Sequence, residues 1–427
     1  MSKIAKQAAG HEDATFSDIV WSQFKKNKTA YLSLWLLAGM FLLAIFAPII
    51  ASERAFYWQE GGETYFPWFT SLFDDNYFEN GVDKFFNLLL VLGVPLFCIW
   101  MVGVRRIQSF GLSKRVRRQK MKRFGQILTA FFTLCFLFIL LNPQGRKNIH
   151  SFEDYMDATT KESRSITAVF PPIEYGYSKQ ILKDKLKRPG FGGDCSKQDQ
   201  GSDSCRSYAM GTDSVGRDVM VRMLYGIRIS LSVGVIAVGI YVTIGIFLGA
   251  FAGYFRGRID LVIQRVIEIV MAVPTLIVLL VLISFIEEPS IFHIMLVIGL
   301  LRWTGVARLV RGEFYRLRNL DFVTSAIALG FSTRRIIFQH ILPNALGPVL
   351  VAATFGVAAA ILIESSLSFL GLGDINVPSW GQTLRDGYLT QEWHLILIPG
   401  LAIFITVTLL NLVGEGLRDA LDPKMRK

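Results

Sequence analysis

Most signatures of enzyme chemistry are missing from this chain. No G-x-x-x-x-G-K-[ST] occurs among its 427 residues, so it has no backbone cradle for nucleotide phosphates. Neither H-E-x-x-H nor C-x-x-C is present, and the five histidines stand apart at positions 11, 150, 293, 340 and 394. A zinc site needs three or four ligands converging on one point. The G-x-S-x-G nucleophile elbow is absent as well. These gaps exclude nucleotide hydrolysis and the common hydrolases, and the expectation is a chain that is not an enzyme and holds no cofactor or metal of its own.

Cysteine is scarce, four residues in all. Cys98 and Cys135 fall within apolar runs, where serving as a small apolar residue is their ordinary role. Cys195 and Cys205 lie in the Gly/Ser/Asp-rich tract GGDCSKQDQGSDSC. An oxidising compartment allows a disulfide between them, and two free thiols are the alternative.

Apolar residues, by contrast, make up 52% of the sequence, with 33 phenylalanines. Runs near the roughly 20 residues that cross a bilayer occur at Tyr31–Ile50, Phe85–Val104, Gly125–Leu141, Ile229–Phe251, Leu261–Ile286, Ile291–Leu301 (extendable to Val310), Leu346–Leu370 and Leu395–Val413. The expected fold is all-α, a polytopic membrane bundle of eight spans. Because basic residues collect in cytoplasmic loops, the net charge of +11 needs no nucleic-acid partner. The densest basic run, Arg105–Arg123, has nine cations, no acid and no aromatic ladder for stacking bases. It reads as a cytoplasmic loop beside anionic membrane lipid.

Charge also orients the spans. Residues 1–28 end in Lys25, Lys26 and Lys28, and Phe16, Ile19, Val20 and Phe24 share one helical face. That pattern suits a cytoplasmic helix lying on the membrane surface, and the first apolar run is too long for a cleaved signal peptide. The first span (29–51) then leads to an acidic external loop (52–84). A two-span hairpin (85–141) carries the basic loop 105–123, and a second external loop covers 142–228. Five further spans (229–416) and a cytoplasmic tail (417–427) complete the chain.

Between the sixth and seventh spans lies DFVTSAIALGFSTRRIIFQHILPN, Asp321–Asn344. Asp321 is suited to N-cap a helix over Phe322–Leu329, with Phe322, Val323, Ala326 and Leu329 on one face. Gly330 suits the left-handed position that ends a helix. Ser332 or Thr333 can open a second helix running to Leu342, with Pro343 starting the next segment. Arg334 and Arg335 stand at the positive end of that helix dipole, unfavourable by about 0.3–1 kcal/mol each. From the residues alone, the loop is either a docking surface for another protein or a connector resting on lipid.

The spacing Ala326-x-x-x-Gly330 followed by Ile341-Leu342-Pro343-Asn344 resembles the EAA loop of ABC importer permeases, with Thr324-Ser325 where that family carries Glu-Ala. The segments GTDSVGRDVMVRMLYGIRISL (Gly211–Leu231), Asp260-x-x-x-x-Arg265-x-x-Glu268, Pro274, ESSLSFLGLG (Glu364–Gly373), PSWG (Pro378–Gly381) and GEGLRDALDP (Gly414–Pro423) resemble the oligopeptide/dipeptide/nickel class. GGETYFPWF (Gly61–Phe69) and FPPIEYGYS (Phe170–Ser178) resemble its microcin C-type branch.

The resemblance implies a type I importer core of six spans, with the hairpin 85–141 as an insertion. It also implies peptide or peptide-like cargo. Nickel or another small solute, and a non-transport assembly role, are the alternatives. Implied partners are a second, different permease chain, two ATPase subunits that bind ATP and magnesium, and an external substrate-binding protein. Within the implied coupling loop, Asp321, Thr324, Ser325, Ala326, Leu329, Gly330, Arg334, Arg335, Leu342 and Pro343 are the candidate residues. Glu364 is expected to line the path or hold a bundle contact. Glu268 with Arg265 and Glu415 with Arg418 are expected to pair locally. Asp213, Gly216, Arg217 and Asp218 form an external surface motif, either a docking element or a plain turn.

Overall fold

In a computed structural model, residues 16–109, 114–142, 151–152, 155, 166–190 and 208–422 are described. Cys195 and Cys205, and with them the disulfide, lie outside these residues. Thirteen helices are named here: α1 (Phe16–Phe24), α2 (Lys28–Ile50), α3 (Pro67–Ser71), α4 (Gly81–Ser109), α5 (Lys114–Leu141), α6 (Val219–Phe255), α7 (Gly257–Ala272), α8 (Thr275–Ser284), α9 (Ile291–Arg318), α10 (Asp321–Ala328), α11 (Leu342–Phe369), α12 (Trp380–Thr390) and α13 (Trp393–Leu421). Among the described residues, seven long apolar helices can cross a membrane, or eight spans if the bent pair α7–α8 counts as one. The fold is a polytopic helical bundle.

Several helices outrun the apolar runs that announce them. α6 begins ten residues before Ile229, because a helix continues into the polar interface once its backbone bonds are made, whereas apolar counting measures only the hydrocarbon. The run Leu261–Ile286 is not one straight span. It breaks before Pro274 and turns by 78° between α7 and α8. Pro274 has no N–H to donate and forces the preceding residue out of helical backbone; Val273 is accordingly extended at φ −102°, ψ 133°.

The chain divides into two compact units, one of residues 1–40, 230–375 and 379–427, the other of residues 41–229 and 376–378. In the first, α11 and α13 pack around Ala358, Ile361 and Leu410. α6 approaches α9 through Gly245, Gly249 and Gly253; a Cβ at Gly249 would lie 2.5 Å from the Ala307 carbonyl oxygen. This G-x-x-x-G-x-x-x-G stripe is the small-residue seam that brings membrane helices into backbone contact. α1 does not present its whole apolar face to lipid. Phe24 packs with Ala30 and Ala420, and Val20 joins them, filling the gap left at Gly416, where a Cβ would sit 2.2 Å from that of Ala30.

The second unit holds a feature absent from the all-α expectation, a three-stranded sheet in the order β2–β1–β3. Strands β1 (Tyr57–Glu60) and β2 (Glu63–Tyr65) form a hairpin over Gly61–Gly62, both at positive φ (59° and 89°), as tight primed turns require. β3 (Thr167–Val169) pairs antiparallel on the other side of β1. The segment Gly61–Phe69 contains β2, and Phe170–Ser178 follows directly on β3.

The same unit buries an ion pair. Arg228 is wholly enclosed: Nη1 donates to Asp83 Oδ1 at 2.9 Å and Nε donates to the Ala44 carbonyl at 2.7 Å. Its guanidinium also sits 5.1 Å from the ring of Tyr225 and 5.3 Å from that of Phe86. Arg228 thereby ties α4, the first helix of the hairpin, to the end of α2. Its planar fork and weak hydration suit it to this position better than a lysine ammonium.

Candidate functional site

The segment between α9 and α11 combines exposed apolar side chains with a tightly closed backbone. Asp321 is the first helical residue of α10 rather than its cap. Leu320 takes the cap position, and no side chain caps the helix. Only Val323 (0% exposed) and Ala326 (3%) bury their side chains, while Leu329 is 73% exposed. The expected four-residue apolar face is thus split. An i,i+3 pair packs inward, and Phe322, Ile327 and Leu329 are exposed. Thr324 and Ser325 are exposed too, and Thr324 Oγ1 donates to the Asp321 carbonyl at 3.0 Å.

α10 ends in a Schellman motif. The Gly330 N–H donates to Ile327 O at 2.9 Å and the Phe331 N–H to Ala326 O at 3.1 Å, with Gly330 at φ 71°. Beyond it, Arg335 lies 3.9 Å above the Phe331 ring, and His340 stacks on that ring at 5.6 Å. This contact offsets the poor dipole placement of Arg335, a cation over an aromatic face gaining about 0.5–1 kcal/mol at an exposed site. Arg334 is exposed.

The second helix does not stop at Leu342. A single turn, Thr333–Arg335, passes into a π-helical segment, Ile336–Ile341, and then into α11 without interruption. The Leu342 N–H reaches back to Ile337 O, five residues rather than four. Pro343, in the first turn of α11, explains this: it has no N–H, its ring crowds the carbonyl four residues earlier, and one extra residue in the turn relieves the clash.

Glu364 is fully buried near the far end of α11. Its Oε1 accepts from Ser368 Oγ and Ser379 Oγ, both at 2.7 Å. Ser379 Oγ also accepts from the Gly381 N–H at 3.1 Å, capping α12. Gly381 permits the approach, since a Cβ there would lie 2.3 Å from the Ser365 carbonyl oxygen. The carboxyl group is therefore placed as a clasp between α11 and α12.

Arg265 and Glu268 form an exposed ion pair at 2.5 Å. Asp260, from the same motif, turns instead to α9. Arg311 Nη2 donates to it at 2.8 Å and Tyr315 OH at 2.5 Å. Glu415 and Arg418, in contrast, make no ion pair among the described residues. Both are exposed, and a surface pair gains only about 0–1 kcal/mol, too little to fix two long side chains.

In the Asp213–Asp218 motif, Asp213 is buried, accepts from Arg217 Nε at 2.6 Å, and stands 3.7 Å from Arg222. Asp218 does not join this cluster; its Oδ1 accepts from the Val221 N–H at 3.0 Å, capping α6. Gly216 is doubly constrained, by φ 80° and by a Cβ position 1.9 Å from the Ile181 carbonyl oxygen.

Burial raises the Asp218 carboxyl to about 6; the Val221 and Met220 N–H groups oppose the shift, and Asp213 adds to it. A carboxyl raised in the fold favours the protonated state, so its penalty is complete above pH 6 and is relieved as pH falls toward 3.8. Lowering pH from 7.5 to 5.5 is expected to stabilise the protein by about 1 kcal/mol through this group. Asp218→Asn keeps the cap and should remove that component. Parallel thermal unfolding of both proteins at the two pH values measures it, and identical slopes would remove Asp218 from the account.

Residues 245–427 match the family model described as binding-protein-dependent transport system inner membrane component. Residues 15–63 match the N-terminal TM domain of oligopeptide transport permease C. The chain is 44% identical over 223 residues to the oligopeptide transport system permease protein OppC of Haemophilus influenzae, covering 51% of this chain and 71% of that protein. It is 37% identical over 267 residues to OppC of Bacillus subtilis, covering 61% and 82%. It is 40% identical over 222 residues to the dipeptide transport system permease protein DppC of the same species, covering 51% and 69%.

Proposed function

Because this chain belongs to the inner membrane permease components of binding-protein-dependent transport systems, on the oligopeptide and dipeptide branch, we propose that it forms half of a peptide-conducting pathway gated through the Asp321–Asn344 loop. It is the transport subunit of an ABC importer, and ATP hydrolysis belongs to separate subunits. Permeases of this family act together with a further permease, ATPase subunits and an external binding protein. For this chain we assign a different second permease, two ATPase subunits carrying ATP and magnesium, both termini in the cytoplasm, and peptides or peptide-like molecules as cargo.

The observation that carries the coupling role is the exposed apolar tip of α10. Leu329 is 73% exposed and Ile327 48%, on a helix whose end is locked by the Gly330 turn. An apolar pair held out on a rigid short helix suits a groove on another protein better than it suits water. Partner ATPases that close on ATP would pull this tip, and the permease would alternate between inward- and outward-facing states. Such coupling requires that the partner grip the tip differently in the two states.

Leu329→Asp tests this. Leu329 buries little within its own chain, so folding and membrane level should be unchanged. Retention of the ATPase subunit during purification should fall about fivefold, as for loss of an interface contact worth about 1 kcal/mol. Unchanged retention of the ATPase would contradict the assignment.

A further inference from the structure

The hairpin α4–α5 lies between the two matched stretches, 15–63 and 245–427. Its outer faces are apolar and exposed, as at Val94 (57%), Ile127 (64%) and Leu134 (66%). Toward the basic end, residues of both helices line a groove of about 560 Å³. Cys98, Ile99, Val102 and Phe124 line its apolar part, and Arg106 from α4 and Lys120 from α5 stand with them. Gly103 shapes the floor: a Cβ there would lie 2.3 Å from Phe124 Cε1, so the ring rests on bare helix backbone.

Neither Arg106 nor Lys120 has a carboxylate partner among the described residues. Residues 105–123 contain nine cations and no acid, so no acid of that stretch can neutralise them. Two cations on opposite helices beside an apolar groove call for a ligand with one anionic group and a long hydrocarbon portion. Basic pockets between membrane helices hold phospholipid headgroups for this reason. We propose that the α4–α5 groove is a binding site for one anionic phospholipid, with its phosphate between Arg106 and Lys120 and an acyl chain along Ile99 and Val102 against Phe124. The inference concerns the inserted hairpin and does not depend on which solute is carried.

The test is native mass spectrometry of the full-length protein purified in detergent and loaded from an equimolar mixture of phosphatidylglycerol and phosphatidylcholine with identical chains. The wild type should retain phosphatidylglycerol preferentially. R106Q/K120Q should lower that preference about 30-fold, the effect of two cations near a membrane surface. R106K/K120R, which keeps the charges, should preserve it. K122Q/R123Q removes the same charge from exposed neighbours in the same run and should also preserve it. V102W should reduce retention of both lipids by filling the apolar part.

Equal losses in R106Q/K120Q and K122Q/R123Q would mean diffuse attraction to a basic stretch and would overturn the site. So would an unchanged preference in R106Q/K120Q, or undiminished lipid retention in V102W.

Discussion

Replacing Arg228 by methionine is expected to lower the unfolding free energy of this protein by about 3–5 kcal/mol, the usual effect of removing one member of a buried ion pair. The methionine fills much of the volume but leaves Asp83 enclosed without its cation. It also leaves the Ala44 carbonyl without the donor now 2.7 Å away. The stacking of the guanidinium between Tyr225 and Phe86 is lost in the same step. Asp83→Asn combined with Arg228→Met should recover much of the loss, because the uncompensated charge, rather than the missing attraction, dominates the penalty. Denaturant unfolding of the single and double variants in micelles measures both quantities. A single-variant loss below about 1 kcal/mol would mean that water reaches the pair.

Gly330→Val is expected to reduce solute uptake at least about tenfold while leaving the amount of protein in the membrane unchanged. A β-branched residue at φ 71° is strained by about 1–3 kcal/mol, and the strain is relieved by opening the Schellman turn. Opening it releases the Phe331 N–H from Ala326 and shifts the ring held between Arg335 and His340. The helix tip then loses its fixed direction, which coupling to a partner needs. Gly330→Asn, which tolerates left-handed backbone, should retain most uptake. Transport and ATP hydrolysis measured together in reconstituted vesicles would separate uncoupling from loss of assembly. Full uptake by the valine variant would place the coupling elsewhere.

The membrane class, the number of apolar runs and the glycine break at Gly330 were all readable from composition and local chemistry. The 78° bend at Pro274 had a local signal as well, since a proline deep in an apolar run interrupts helix bonding, yet apolar counting alone passes over it. Gly61–Gly62 carried a local signal of a tight hairpin between YWQE and ETY, which the all-α expectation passed over because the strands are short and lie among aromatic residues. The four-residue spacing of Gly245, Gly249 and Gly253 was a local signal of a helix-contact seam, and counting apolar runs passes over it as well. What local pattern could not supply was partnership at long range. β3 joins β1 across about a hundred residues, and Asp83 finds Arg228 across 145. Glu364 shows the limit from the other side. Its burial followed from its apolar neighbours, but its partner Ser379 became evident only once α12 folded back. Glu415 and Arg418 have suitable spacing and remain apart, since spacing permits a pair without stabilising it.

The π segment Ile336–Ile341 sets the angular phase of the Asp321–Ser332 stretch against everything beyond it. From Thr333 to Phe369 the chain is one unbroken rod, about 55 Å long at 1.5 Å per residue, clasped at its far end by Ser379. One residue more than an α-helical register turns the near end by about 100° about the rod axis. Excising a single residue there would leave both ends chemically intact and point the tip in a different direction, so the compass bearing of Leu329 is set by the backbone insertion that Pro343 imposes.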